Sequence, residues 1–239
     1  MFYSKLVVFV LNFFDHFQQK KVINFLKKNF KSEIILYDVG SHYGETVKLF
    51  LNNFKIKELH CFEASSLNFE ILIKNLKKIN IKVNHQLNNF GLGSINEDTF
   101  INQTKESSSS TINDLNLNSK YLQKKLKVLN LKNIDKFYQK LPVKIITLDK
   151  YILEKKQKNI DVLKIDTEGF ELNVIKGLQV NHKIIKFIYF EHHYDDMIKK
   201  NYTFKDINLV LKKFGFQKVF KSKMIFRKSF EYIYKNSNF

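Results

Sequence analysis

Three acidic residues follow short apolar segments, and each of them meets a turn. Asp38 ends the segment EIILYD, Glu63 follows ELHCF, and Asp166 ends DVLKID. Short apolar segments bounded in this way are typical of buried strands. Because ligands of open parallel sheets bind beyond the carboxyl ends of the strands, we expect the three carboxylates to gather at one ligand-binding edge.

The first of these acids opens a turn with two glycines, Asp38-Val39-Gly40-Ser41-His42-Tyr43-Gly44. A glycine directly after a strand lets the backbone turn tightly and lets a ligand approach the main chain. The helix expected next would offer unpaired N–H groups to an anionic group. The spacing D-x-G-x-x-x-G differs from the G-x-G-x-x-G of dinucleotide-binding proteins, so a nicotinamide-dependent dehydrogenase is a distant alternative. A glycine turn that binds no ligand is the other alternative.

Glu63 comes 25 residues after Asp38, at the end of the second predicted strand. An acid roughly 20 residues past the glycine turn is well placed to accept hydrogen bonds from ribose hydroxyls. The position therefore predicts a ligand that contains a nucleoside. The alternative is a solvated acid at a strand end.

A second polar group, Glu191-His192-His193-Tyr194-Asp195-Asp196, ends the apolar segment KFIYFE and should lie at the same edge. Histidine titrates near neutral pH and is a natural general base. Side chains of consecutive residues diverge, so this run is weak evidence for a metal site and we predict none. Glu168 is a further candidate base, but it could equally cap a helix that begins there.

Apolar segments alternate with amphipathic ones, which predicts a parallel sheet with crossover helices. The predicted strands are Glu33–Asp38, Glu58–Phe62, Lys82–Leu87, Val143–Thr147, Asp161–Asp166 and Lys186–Glu191. The predicted helices are Phe17–Phe30, Glu45–Phe54, Ser66–Ile79 with Ser66 as N-cap, Leu148–Leu153, Glu168–Gly177 with Gly177 as C-cap, and Phe204–Phe214. We expect the polar stretch Asn88–Lys120 to be a long irregular segment. The strands Phe216–Phe220 and Met224–Phe226 should form a terminal hairpin.

Five motifs occur in a fixed order: the turn Asp38 to Gly44, CFEA at Cys61–Ala64, GLG at Gly91–Gly93, ITLD at Ile146–Asp149, and LKIDTEGFE at Leu163–Glu171. Together they resemble the FkbM family of methyltransferases over roughly Asp38 to Glu191. The resemblance implies an α/β, Rossmann-like class I methyltransferase fold. This fold has a mostly parallel seven-stranded sheet, helices on both faces and a C-terminal antiparallel hairpin. S-adenosyl-L-methionine is the cofactor that the resemblance implies.

The resemblance also implies roles for individual residues. The methionine end of the cofactor would be held by Gly40, Ser41, His42, Tyr43 and Gly44, the ribose by Glu63, and the adenine side by the stretch from Asn89 to Gly91. Asp38 and Ala64 would complete the cofactor site, and Asp166 would lie by the sulfonium, where the acceptor approaches. Gly91 stands where the family usually has alanine, which would loosen the adenine pocket, and Ser65 where proline is common.

Methyl transfer to a hydroxyl depends above all on alignment, to which orientation can contribute roughly 7–11 kcal/mol. A general base adds about 10²–10⁴-fold, and a sugar hydroxyl would benefit from one. The candidates are Asp166, Glu168 and His192, with His193 as a fourth. The serines Ser107–Ser110 and Thr111 resemble a serine-containing family segment that would reach over the cofactor; a solvated loop is the alternative.

The composition is strongly basic, with a net charge of +18 over 239 residues. Such a charge favours nucleic acid or another anionic surface. However, only Arg227 among the 41 basic residues is arginine, the residue that nucleic-acid surfaces use for bidentate contacts. We therefore attribute most of the lysine excess to compositional bias and solvation. Cys61 is the only cysteine, which excludes an internal disulfide and a cysteine-based zinc site.

We predict a helical extension over residues 1–32, packed on the core, and one methyltransferase domain over residues 33–239. The apolar segment Leu6–Phe14 is too short to span a bilayer. It has no small-residue cleavage site of a signal peptide, and contact with a membrane surface is the alternative. We expect a cytoplasmic protein without a transmembrane segment.

The prediction is thus an S-adenosylmethionine-dependent methyltransferase that methylates a hydroxyl of a saccharide or related small metabolite. The acceptor class is implied by the resemblance alone. The alternative is an RNA-directed methyltransferase or RNA-binding module that uses the lysine-rich surface. A cofactor-binding protein without catalysis is a further alternative.

Overall fold

The computed structural model describes residues 18–128, 137–225 and 228–239. Ten strands are assigned in these ranges: β1 (Ile34–Val39), β2 (Ile56–Phe62), β3 (Asn84–Asn88), β4 (Gly91–Gly93), β5 (Glu97–Thr104), β6 (Tyr138–Thr147), β7 (Ile160–Ile165), β8 (Ile185–His193), β9 (Phe216–Lys223) and β10 (Ser229–Asn236). The main sheet has the order β3-β2-β1-β7-β8-β10-β9. Strands β3 to β8 in this order pair in parallel, and β10 and β9 are antiparallel. The predicted Rossmann-like fold with its terminal hairpin is confirmed.

The α-helices of the described ranges are α1 (18–27), α2 (Glu45–Leu51), α3 (Ser66–Ile79), α4 (Lys120–Val128), α5 (Leu148–Lys155), α6 (Glu171–Lys176) and α7 (Phe204–Lys213). All of them except α4 contribute to the cores on the two faces of the main sheet, and α4 belongs to a separate cluster. Successive strand residues point to opposite faces, and Leu36 and Tyr37 of β1 accordingly enter two different cores. The core on the side of Leu36 includes α1, α2 and α3. The core on the side of Tyr37 includes α5, α6 and α7.

The segment Asn88–Lys120 is not wholly irregular, which corrects the prediction. It contains β4 and β5, which form a second sheet with β6 in the order β4-β6-β5. The sequence of β5, EDTFINQT, is mostly polar, and its first half is largely exposed. Its pairing with β6 depends on backbone hydrogen bonds, which leave little hydrophobic pattern in a sequence.

Several predicted boundaries were wrong, of which β6 is one, since it begins at Tyr138 instead of Val143. The N-cap of α3 is Ser65, whose hydroxyl accepts from the Asn68 N–H, and not Ser66. Helix α6 begins at Glu171 instead of Glu168, although Gly177 is its C-cap as predicted. The last strand is β10, Ser229–Asn236, because these residues pair antiparallel with β8.

The N-terminal helix α1 packs across the sheet. Its residues Val22, Ile23 and Leu26 are buried, and the ring of Phe25 lies 5.2 Å from that of Phe220 in the hairpin. The predicted segment Leu6–Phe14 lies outside the described residues. Within the described ranges, no helix is long and apolar enough to cross a membrane.

Candidate active site

A cavity of about 290 Å³ opens at the carboxyl edge of the main sheet. It is lined from the predicted cofactor side by Gly40, Ser41, His42, Glu63, Ala64 and Gly91, and from the other side by Asp166, Glu168, Tyr189 and Glu191. The volume is close to the lower end of the range of ligand pockets, roughly 300–1,000 Å³. Asp38, Tyr43, Gly44, Asn89 and His192 are not among the lining residues.

The turn after β1 is fixed by its contacts with neighbouring strands. Gly40 has φ 78°, and a Cβ there would lie 1.8 Å from the carbonyl oxygen of Asp166. The N–H groups of Gly40 and Ser41 both donate to the carbonyl of Phe62. A glycine is required at position 40 because β1 and the end of β7 meet there without space for a side chain.

The rest of the turn packs outside the cavity. Tyr43 stacks on His42 with ring centroids 3.8 Å apart. A Cβ on Gly44 would lie about 3 Å from the side chains of Leu72 and Leu76 in α3. The predicted cofactor residues of the turn therefore divide into three that line the cavity and two that support them.

The carboxylate of Glu63 is held by the backbone. One oxygen accepts the N–H of His42 at 2.7 Å and the other accepts the N–H of Ser65 at 3.0 Å. Burial raises the pKa of Glu63, against the effect of these hydrogen bonds. Two carboxylate oxygens accept about four hydrogen bonds, so a carboxylate fixed in this way can still receive hydroxyl groups from the cavity.

Asn89 and Gly91 were both predicted on the adenine side, but only Gly91 lines the cavity. The Asn89 amide donates to the carbonyl oxygens of Glu63 and Ala64, so it fixes the backbone behind the cavity wall. Gly91 lines the cavity, and a Cβ at this position would lie 2.6 Å from Ile145 Cδ1. The space of an alanine methyl is therefore taken by Ile145, and the glycine does not leave an open gap.

A buried lysine that sequence reasoning missed connects two of the strand-end acids. The ammonium of Lys164 lies 3.4 Å from Asp38 Oδ1 and 3.3 Å from Asp166 Oδ2. Burial disfavours this charge, but Asp166 and Asp38 together raise the pKa of Lys164 above its ordinary value. Asp38 is fully buried beneath the cavity, whereas Asp166 reaches into it.

Glu168 faces the cavity at the centre of a second charged group. Its Oε2 lies 3.5 Å from His193 Nε2, which is equally far from Glu191 Oε1. His193 Nδ1 lies 3.5 Å from Asp195 Oδ2. No cluster of three or more His, Cys, Asp or Glu side chains suited to a metal ion is found in the part of the chain that the structure describes.

The surroundings of this charged group raise the pKa values of both His193 and Glu168, but for different reasons. Burial would lower the pKa of His193, but Glu168, Glu191 and Asp195 raise it to about 10. Burial, with repulsion from Asp166 and Glu191, raises the pKa of Glu168 to about 7, although His193 opposes the shift. The neighbouring carboxylates therefore favour the charged form of His193, whereas burial favours the protonated form of Glu168.

His192 points away from this group. It is buried against Tyr194, Tyr202 and Phe204. Burial, together with Lys200 and His193, lowers its pKa to about 4. The structure therefore does not bring His192 to the cavity with the other two predicted catalytic residues, Asp166 and Glu168.

The serine-rich loop lies over the cavity, where Ser107, Ser108, Ser110 and Thr111 line it. Ser107 Oγ and His42 Nε2 share a hydrogen bond of 2.7 Å. The Thr111 hydroxyl donates to the carbonyl oxygen of Glu168 at 2.7 Å. The loop thus connects the turn after β1 with the backbone of Glu168.

A parallel sheet with a terminal antiparallel hairpin, a glycine turn after β1 and a carboxylate after β2 defines a class I methyltransferase fold. Comparison with family models agrees, because the Methyltransferase FkbM domain matches residues 38–218, about three quarters of the chain. The chain belongs to the FkbM methyltransferase family, and its cofactor is S-adenosyl-L-methionine. Curated proteins gave no significant match.

Solved structures share the fold at low identity. Methyltransferase FkbM from Methylobacillus flagellatus KT is 13% identical with a TM-score of 0.51, and the match covers 84% of this chain and 44% of that chain. This chain thus spans less than half of that protein. Magnesium protoporphyrin IX methyltransferase (ChlM) from Synechocystis PCC 6803, solved with bound S-adenosylhomocysteine, is 10% identical with a TM-score of 0.50, over 92% of this chain and 83% of that chain.

Proposed function

We propose that this methyltransferase methylates a hydroxyl group of a saccharide or a related small metabolite. The observation that carries the proposal is the lining of the cavity opposite the cofactor side, where Asp166, Glu168 and Glu191 lie together. Carboxylates accept hydrogen bonds from hydroxyl groups and repel phosphates. An uncharged, hydroxyl-rich acceptor is therefore the chemical class that this wall suits best.

The residues present fit the cofactor, and we propose the following roles. Glu63 receives the ribose hydroxyls, the Gly40–His42 backbone holds the methionine end, and Ala64 and Gly91 border the adenine. Asp166 faces the sulfonium, whose positive charge suits this acid-lined cavity. When bound, S-adenosylmethionine supplies an electrophilic methyl group; the protein aligns the acceptor oxygen with it.

Glu168 is the proposed general base. It lines the cavity, and its pKa of about 7 lets it take the acceptor proton near neutral pH. The cation of His193, 3.5 Å away, holds the carboxylate in position and keeps it from titrating still higher. Asp166 is less suited to take the proton, because its Oδ2 lies 3.3 Å from the Lys164 ammonium and is engaged in that ion pair.

RNA is the second candidate acceptor, supported by the net charge of +18. A protein that binds RNA through its phosphates loses affinity steeply as the salt concentration rises. The acid-lined wall disfavours phosphates at the point of methyl transfer, which is why we rank RNA behind a saccharide.

The test is to supply S-adenosylmethionine with a labelled methyl group to the purified protein and to offer separately methyl glycosides and a transfer RNA transcript. We expect label in the glycosides as a methyl ether, identified by mass spectrometry. In Glu168→Gln the rate should fall about 10²–10⁴-fold with unchanged affinity for S-adenosylhomocysteine. Glu70→Gln, on the exposed face of α3, is the matched control. Label transferred to RNA or to an amine instead would refute the proposal.

A further inference from the structure

One wall of the cavity lies outside the part of the chain that matches the family. The match ends at residue 218 and begins at residue 38, whereas Gln19 of α1, Met224 and Glu231 of β10 all line the cavity. The residues that we assign to the cofactor all lie inside the matched part, and Gln19, Met224 and Glu231 border the cavity from outside that part.

The wall formed by Gln19, Met224 and Glu231 is held in place by contacts between α1 and the hairpin. Gln18, the neighbour of Gln19, accepts a hydrogen bond of 2.8 Å from the Ser222 hydroxyl, and both side chains are buried. The ring contact between Phe25 and Phe220 holds the same two elements together. Helix α1 and the hairpin are thus joined at the cavity by polar and aromatic contacts.

Glu231 is the charged member of the wall, and only 3% of it is exposed. Its Oε1 accepts a hydrogen bond of 2.6 Å from the hydroxyl of Tyr189, which also lines the cavity. Burial and the Glu231 carboxylate raise the pKa of Tyr189, so the tyrosine stays protonated and donates. A carboxylate accepts about four hydrogen bonds, and Glu231 can therefore hold Tyr189 and an acceptor hydroxyl at the same time.

Glu231 and Glu191 are neighbours in the sheet. Glu231 lies directly opposite Glu191 in the antiparallel pair of β10 and β8, and residues in this relation lie on the same face of a sheet. Both side chains line the cavity. One ligand in the cavity could therefore donate hydrogen bonds to both carboxylates.

We propose that Glu231, supported by Gln19, determines acceptor specificity by binding a second hydroxyl of an uncharged polyol. The inference rests on the proposed saccharide acceptor and deepens it. Glu191 and Glu231 would bind neighbouring hydroxyls of one sugar ring, so that a third hydroxyl is presented to the methyl group. A sugar with a phosphate on this side is excluded by charge.

The experiment measures binding of methyl glycosides of glucose, galactose, mannose and rhamnose by saturation-transfer NMR, with S-adenosylhomocysteine at saturation. Methyl transfer to the same four sugars is measured in parallel. We expect Glu231→Gln to weaken binding of the preferred glycoside at least tenfold, while its affinity for S-adenosylhomocysteine stays within twofold of wild type. Gln19→Ala should weaken glycoside binding at least threefold, and Glu70→Gln should change neither affinity. The 6-phosphate of the preferred sugar, where that sugar carries a 6-hydroxyl, should bind less tightly than its methyl glycoside.

The outcomes separate the two levels of the proposal. If wild type binds and methylates a glycoside and Glu231→Gln does so equally well, the role of Glu231 is overturned and the saccharide acceptor stands. If wild type neither binds nor methylates any of the four while it binds S-adenosylhomocysteine, the saccharide acceptor and the role of Glu231 both fail. If Glu231→Gln does not fold, Gln19→Ala decides, and unchanged glycoside affinity in that variant overturns the wall as a specificity site.

Discussion

Replacing Gly40 by alanine tests whether the turn after β1 is a close approach between strands. The new Cβ would lie 1.8 Å from the carbonyl oxygen of Asp166, and real Cβ atoms stay at least 3.0 Å away, so the strands must separate by about 1.2 Å. Overpacking of this kind costs about 1–3 kcal/mol. The left-handed backbone, φ 78°, adds roughly 1–2 kcal/mol for a residue with a side chain. We therefore expect Gly40→Ala to lose about 2–5 kcal/mol of unfolding free energy.

Gly215→Ala is the matched control. Gly215 has φ 84°, but the nearest atom that its Cβ would meet is Ser237 Oγ at 3.3 Å. Only the backbone term of roughly 1–2 kcal/mol applies there. The difference between the two variants thus isolates the contact with Asp166.

The assay is urea unfolding of both variants without ligand, followed by calorimetric titration with S-adenosylhomocysteine. We expect Gly40→Ala to be the less stable variant and to lose at least tenfold in affinity, because the turn that borders the cofactor must move. Gly215→Ala should bind within twofold of wild type. Equal stability of the two variants, together with wild-type affinity in Gly40→Ala, would refute the reasoning.

Three further predictions follow from buried polar groups. Lys164→Met should cost about 3–5 kcal/mol in urea unfolding, because it removes the ammonium that lies 3.4 Å from the fully buried Asp38 carboxylate. A loss below about 1 kcal/mol would contradict the ion-pair account. His192 has its pKa lowered from 6.5 to about 4, so the unfolded chain binds the proton more tightly and stability should fall as the pH decreases from 6.5 to 4. His192→Phe should flatten this part of the stability profile, and an unchanged slope would assign it to other groups. Ser65→Ala should remove the N-cap of α3 and cost about 0.5–2 kcal/mol, whereas Ser66→Ala should have little effect on thermal unfolding.

The convergence of the strand-end acids was predictable because its signals are local. Each of Asp38, Glu63 and Asp166 ends an apolar segment, and parallel strands bring such ends to one edge. The structure brings Glu63 and Asp166 to the same cavity and connects Asp38 to Asp166 through Lys164. The role of Lys164 could not be predicted, since one lysine inside an apolar strand gives no indication of Asp38, which lies far away in the sequence on another strand.

The assignment of the histidines depended on where β8 ends. The predicted strand stopped at Glu191, whereas β8 continues to His193. Side chains alternate along a strand, so His193 lies on the same face of β8 as Tyr189 and Glu191, which line the cavity. Phe190 and His192 face the opposite core. If the predicted strand had been extended by two residues to His193, the alternation of side chains would have indicated His193 instead of His192 as the residue on the side of the cavity.

The charge of the chain and the charge of the cavity act at different distances. One lysine, Lys164, occurs among the described residues that line the cavity, and two aspartates offset its charge. The other lysines contribute a field that physiological salt screens within about 8–10 Å. Such a field can raise the rate at which anionic molecules approach the protein. Under the proposed function, selection at the reacting atoms would depend instead on contacts with Glu168, Glu191 and Glu231, because carboxylates accept hydrogen bonds from hydroxyl groups and repel phosphates.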